Sequence, residues 1–128
     1  MDLRFEKYEG IGNDFLVVDG NDEAARALSP EVVRALCDRH RGVGGDGVLI
    51  VGTTPRLSMR VINADGSIPE MCGNGLRCVA LHVRRAGLSA SPSFVVDTDA
   101  GPHECHVASA AEEALVEVEM RVPTLVPS

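Results

Sequence analysis

The chain has 128 residues, 45% hydrophobic and only 3% aromatic, which is the composition of one folded domain with a core of Val, Leu, Ile and Ala. Its net charge of −7 at pH 7 argues against a nucleic-acid partner and against docking on an anionic membrane. No run approaches a membrane span, and residues 1–10 carry charges in place of an apolar leader. The four cysteines (Cys37, Cys72, Cys78 and Cys105) are then expected as free thiols in a reducing cytoplasm, with a disulfide framework as the alternative that an even count leaves open.

LRFEKYEG at 3–10 sets Leu3 and Phe5 against Arg4 and Glu6, the alternation of a strand. IGND turns the chain into FLVVDG at 15–20, a more buried strand expected to pair with the first as a hairpin. SPEVVRALCDRHRG at 29–42 is the clearest helix. Ser29 can cap it, Pro30 suits its first position, and Val32, Val33, Leu36 and Cys37 form an apolar stripe. His40 and Arg41 are expected in its last turn, with Gly42 just past its end. GVGGDG at 42–47 is a loop before a buried strand at 48–52. It lacks the Lys-Ser/Thr of a phosphate loop, and reads as a structural turn lining a cleft.

LSMRVINADGS at 57–67 reads as a strand ending in an Asp65-Gly66 turn. GLRCVALHVRRAGL at 75–88 reads as a second helix with Leu76, Val79, Ala80 and Val83 on one face. Arg84 and Arg85 are expected as its solvated end, and Gly87 as its stop. Strands are expected at 93–98, 102–109 and 114–122, followed by PTLVPS as a linker. The domain is therefore set at 1–122 and the linker at 123–128. Strands outnumber helices, which gives an α+β class with a curved, mostly antiparallel sheet around a central helix.

HECH at 103–106 invites a metal. On a strand, however, His103 and Cys105 share one face while His106 falls on the other. Cys78 and His82, four apart on a helix, are likewise only a pair. Zinc usually wants three or four protein ligands, so no metal is expected.

MCGNGLRC at 71–78 sets a thiol at the entry to the second helix. The first N–H groups of a helix have no intrahelical partner and sit at the positive end of its dipole. A carboxylate can dock there, and a neighbouring thiol becomes easier to ionise. Cys72 then stands beside the α-carbon of a captured carboxylic acid, as a candidate general base for proton removal. The other reading is a tight turn with Cys72 as filler. Asn13 and Asn63 divide in the same way, between turn residue and ligand.

GIGNDFLVVD (10–19), RHRGVGGDGVLI (39–50), INADGS (62–67) and MCGNGLRC (71–78) occur in an order and at spacings that resemble the N-terminal half of diaminopimelate epimerase. The likeness runs from about residue 3 to 123. Asn74 sets the chain apart from proline-racemase relatives, which usually have His there. Cys72 sets it apart from phenazine-biosynthesis relatives, which lack the thiol. The resemblance implies two similar halves, each a bent sheet around a helix, with the substrate between them. It implies epimerisation of LL-diaminopimelate to the meso form without pyridoxal phosphate or metal, for lysine and peptidoglycan synthesis. Two cysteines, one from each half, would face the α-carbon from opposite sides. Cys72 would be one of them, Gly73 and Asn74 would bind the α-carboxylate region, and Asn13 and Asn63 would hydrogen-bond substrate. Some relatives carry a substrate-contacting Gln where this chain has Gly47, and that contact is not carried over.

The same resemblance makes the chain a half-site lacking its second cysteine, since Cys37, Cys78 and Cys105 are poorly placed to supply it. It would be a truncated domain, one part of a split enzyme, or a half that pairs with a second copy. A non-catalytic binding or assembly module, or half of a related amino-acid racemase, is the alternative.

Overall fold

The computed structural model describes residues 3–9, 13–70, 72–107 and 116–122. Seven strands and two α-helices are found among them: β1 (Leu3–Glu9), β2 (Phe15–Asp19), α1 (Pro30–Cys37), β3 (Gly47–Gly52), β4 (Ser58–Asn63), α2 (Gly73–Arg85), β5 (Ser93–Thr98), β6 (Gly101–His106) and β7 (Val116–Val122). The strands form one sheet in the order β6-β5-β4-β3-β2-β1-β7. Neighbours are antiparallel, including the expected β1–β2 hairpin, except for β2–β3 and β4–β5. Those two pairs are parallel because a helical crossover joins their strands, through α1 in one case and α2 in the other.

The strand period of two sorts the core onto both faces of the sheet. Phe15, Val17, Leu49, Val51, Met59 and Val61 pack with Cys78, Val79, Leu81 and Val83 of α2. The alternate residues Leu16, Val18, Val48 and Ile62 pack with Val33, Leu36 and Cys37 of α1. The central strands are therefore buried on both sides, and α2 is the helix against which the inner face closes. Each fully buried Leu or Val contributes about 1.5–3 kcal/mol, so the first stripe holds α2 on the sheet and the second holds α1.

α1 begins as its sequence requires: Ser29 Oγ accepts the Val32 N–H at 3.2 Å and Pro30 opens the helix. It ends earlier than expected, at Cys37 rather than beyond Arg41. The cause is Asp38, whose carboxylate accepts the N–H groups of His40 (2.8 Å) and Arg41 (3.1 Å) and offers that stretch an alternative to the helix. The same two N–H groups hold the Asp38 carboxyl below its usual range. The chain then folds back over the helix end. Val43 and Gly44 donate to Leu36 O, and Gly45 donates to Cys37 O. Gly42 passes so close that a Cβ there would meet Ala35 O at 2.2 Å and Leu36 O at 2.5 Å.

α2 stops as expected at Gly87, which takes φ +70° while Leu88 N donates to Val83 O at 2.9 Å. Arg84 is not merely solvated, since its Nη1 donates to Ser89 O at 3.3 Å and its Nε is buried. A short 3-10 turn at Glu23–Ala27, capped by Asp22, was not foreshadowed by the apolar pattern. The strand expected at 102–109 ends at His106, with 108–109 outside the described residues, as is the linker expected at 123–128. No helix among the described residues is long and apolar enough to cross a membrane.

Gly42→Ala is expected to lower unfolding free energy by about 1–3 kcal/mol in a urea titration, because backbone carbonyls, unlike side-chain tips, cannot move aside.

Candidate active site

The candidate site lies at one end of the sheet. Phe15 at the start of β2 is paired with Gly47 at the start of β3, and Gly47 is paired with Asn63 at the end of β4. The segments before β2 and β3 and the turn after β4 therefore meet there. α2 starts at the same end, because Asn74 Nδ2 donates to Asn13 Oδ1 at 2.6 Å.

Cys72 is the N-cap residue of α2, with extended backbone (φ −134°, ψ 118°) and a half-buried side chain. Its carbonyl accepts the first intrahelical bond, from Leu76 N at 2.8 Å, while its side chain caps nothing. The amides of Gly73 and Asn74 precede that first bond, so the helix does not use them. Both residues are exposed, and a Cβ built on Gly73 would meet nothing within 4 Å. The first turn of α2 carries no acidic residue to repel an anion. Cys72 thus sits at the start of the helix, with open space around the neighbouring Gly73. It is half-buried and packs against the α2-side core cluster, with the exposed Gly73 next to it in the chain.

Asn13 has a defined role besides turning the chain. None of the described non-glycine residues has positive φ, so it supplies no left-handed turn. Its Nδ2 donates to Asp46 Oδ2 at 3.3 Å, and its Oδ1 accepts from Asn74. Asn63 shares the sheet end, but its side-chain amide donates to Ser67 Oγ at 3.0 Å within its own turn. In that turn Ser67 donates twice to Asp65, which lowers the Asp65 pKa. The structure thus joins Cys72, Gly73, Asn74 and Asn13 directly. Asn63 reaches them through backbone, as Ala64 N donates to Asp46 O at 2.9 Å.

Three residues at this end were not singled out by sequence: Asp14, Arg39 and Asp46. Arg39 donates to Asp14 Oδ2 at 3.1 Å and to Asp46 Oδ1 at 3.4 Å, and the bond to Asp14 is the chief cause of its raised pKa. These side chains are 54%, 29% and 40% exposed, so solvent screens the ion pairs and they serve mainly to fix position. The only local hint was two aspartates, Asp14 and Asp46, directly preceding strands.

The GVGGDG loop lines the site but is no anion cradle. Its amides from Val43 to Gly45 are spent on the carbonyls of α1, and Asp46 N on Asp14 O at 2.7 Å. A cavity of about 300 Å³ lies at the other end of α2, lined by residues that include Glu6, Val17, Val51 and His82. His82 Nδ1 there is 3.0 Å from Tyr8 Oη and 3.2 Å from Glu6 Oε2. None of the residues expected from sequence to form the site lines that cavity.

The fold is that of solved isomerases and phenazine-biosynthesis proteins. A PhzF-family phenazine biosynthesis protein from Bacillus anthracis superposes with a TM-score of 0.64 at 19% identity, over 90% of this chain and 39% of that one. Methylitaconate-delta-isomerase superposes with a TM-score of 0.62 at 14% identity, over 86% and 36%. At sequence level, the family model for diaminopimelate epimerase matches residues 5–126. The diaminopimelate epimerase of Cyanothece sp. is 43% identical over 98% of this chain and 46% of its own length. That of Teredinibacter turnerae is 42% identical over 100% and 46%, and the chloroplastic one of Oryza sativa subsp. japonica 42% over 96% and 35%. The chain belongs to the diaminopimelate epimerase family, and it spans about half the length of the curated relatives it matches, or less.

Whereas Cys72 is half-buried, Cys37 is buried on α1. Burial, then the Asp46 charge, push its thiol up to about 11 from 9.0. A raised thiol pKa favours the protonated folded form, so this contribution is intact below pH 9 and is lost as pH rises from about 9 to 11. At pH 8, iodoacetamide followed by peptide mass spectrometry is expected to label Cys72 at least about tenfold faster than Cys37 in the folded chain. Equal rates in native buffer would contradict the site as described.

Proposed function

We propose that the chain supplies one half of a diaminopimelate epimerase, with Cys72 as one of two acid/base groups. The observation that carries this reading is Cys72 at the uncapped, open start of α2, in a chain of this family. A substrate α-carboxylate docks on the Gly73 and Asn74 amides, where the helix dipole and a first turn without acidic residues favour it. That places the α-carbon beside Sγ. The Cys72 thiolate takes the α-proton, and charge flowing into the carboxylate meets amides already aimed at it. A thiol on the opposite face, from a second epimerase half or a second copy, returns a proton to the other side and inverts the centre. Run in the other sense, Cys72 donates the proton.

Neither pyridoxal phosphate nor a metal has a part in this scheme, because the amides supply the electrostatic stabilisation. Asn13 positions Asn74, and Asn63 is a further substrate contact once its turn amide is shared. A half-exposed thiol of this kind needs a reducing compartment, which we take to be the cytoplasm.

The test is α-proton exchange of diaminopimelate in deuterated water, with the chain mixed with a supplied C-terminal half of a relative. Exchange is expected, and Cys72→Ser is expected to reduce it by about 10²–10⁴-fold. Exchange that survives Cys72→Ser would overturn the assignment, and its absence from the wild-type mixture would favour a binding module. Gly73→Ala meets no atom within 4 Å, so it is expected to fold normally while weakening substrate binding, measured as the concentration dependence of exchange.

A further inference from the structure

We infer that Asp46 is the positioning residue of this site, an inference that rests on the functional reading above and deepens it. Asp46 is bonded to the segments carrying both asparagines of the sheet end. Its Oδ2 accepts the Asp14 backbone N–H at 2.7 Å and Asn13 Nδ2 at 3.3 Å. Its backbone N donates to Asp14 O at 2.7 Å, and its carbonyl accepts Ala64 N at 2.9 Å, beside Asn63. Arg39 holds the other carboxylate oxygen at 3.4 Å, which turns Oδ2 toward Asn13.

The consequence is a direction. An asparagine amide can present either its oxygen or its nitrogen along nearly the same path. A carboxylate accepts only, so Asp46 draws Asn13 Nδ2 to itself and leaves Asn13 Oδ1 facing α2. Asn13 Oδ1 in turn accepts only, so it draws Asn74 Nδ2 inward at 2.6 Å. Asn74 Oδ1 is then the atom left for a ligand. An acceptor at the helix start, beside amides that hold a carboxylate, suits the ammonium group of the same amino acid. Asp46 therefore sets the polarity of the relay Asp46–Asn13–Asn74, and with it a preference for α-amino acids over plain carboxylic acids.

The side-chain amide signals of Asn13 and Asn74 in a ¹⁵N-labelled sample of the chain test this directly. Asp46→Ala is expected to move both toward the positions of exposed asparagines. It is also expected to weaken, by about tenfold, the protection that diaminopimelate gives Cys72 against iodoacetamide. Asp46→Asn, whose amide oxygen the Asp14 backbone N–H holds at the Oδ2 position, is expected to keep both signals near their wild-type positions. Asn13→Ala, which leaves Asp46 and its backbone bonds intact, is expected to shift the Asn74 signal and serves as the second arm if Asp46→Ala does not fold. An unmoved Asn74 signal in Asp46→Ala or in Asn13→Ala overturns the inference. Diaminopimelate that fails to protect Cys72 in the wild-type chain counts against the functional reading, while the amide signals still decide the role of Asp46.

Discussion

The structure depends on a helix that enters its fold uncapped. α1 and α2 are built by one chain under the same rules, yet they begin differently. α1 has Ser29 on its free amides and a proline at its first position. α2 has Cys72, whose side chain bonds none of them. Losing a side-chain cap costs a helix about 0.5–2 kcal/mol. The buried face of α2 offsets that cost: Cys78, Val79, Leu81 and Val83 are nearly inaccessible to solvent and packed against Leu49, Val51 and Val61. Packing fixes the helix in place, so its first turn need not stabilise itself. Its amides and the Cys72 sulfur remain available at an open edge.

Availability alone would not make a site. A bare helix start frays, and a thiol beside it samples many positions. Here the first turn is pinned from outside, by Asn74 to Asn13. Asn13 is pinned by Asp46, and Asp46 is seated by backbone bonds to Asp14 and Ala64. The exposed ion pairs of Arg39 add little energy and much direction. The apolar stripes on both sheet faces hold the fold, and a short polar relay at one end positions the start of α2.

Much of this was legible in the residues. Apolar runs and period-two alternation placed the strands, and helical spacing placed both helices, because burial of the central strands on two faces leaves a strong apolar pattern. Ser29-Pro30 and Gly87 marked helix ends because their local chemistry is unambiguous. The early stop of α1 was less visible: Asp38, His40 and Arg41 are all compatible with a helix until the Asp38 carboxylate takes the following amides. Cys72, Gly73 and Asn74 could be nominated from one short stretch, since they are contiguous. The Asp46–Asn13 contact could not. It joins residues 33 apart, and no local rule connects them. Asn63 was read as a ligand through family resemblance, whereas its immediate surroundings give its amide to Ser67.

A chemical-shift titration of the chain with diaminopimelate tests the central claim most directly, because it reports where a carboxylate goes without requiring turnover. The account predicts saturable shifts of the Gly73 and Asn74 backbone amides, with Cys72 close behind. Shifts confined to the opposite end of α2, around His82 and Ala86, or no shifts at all, would contradict it.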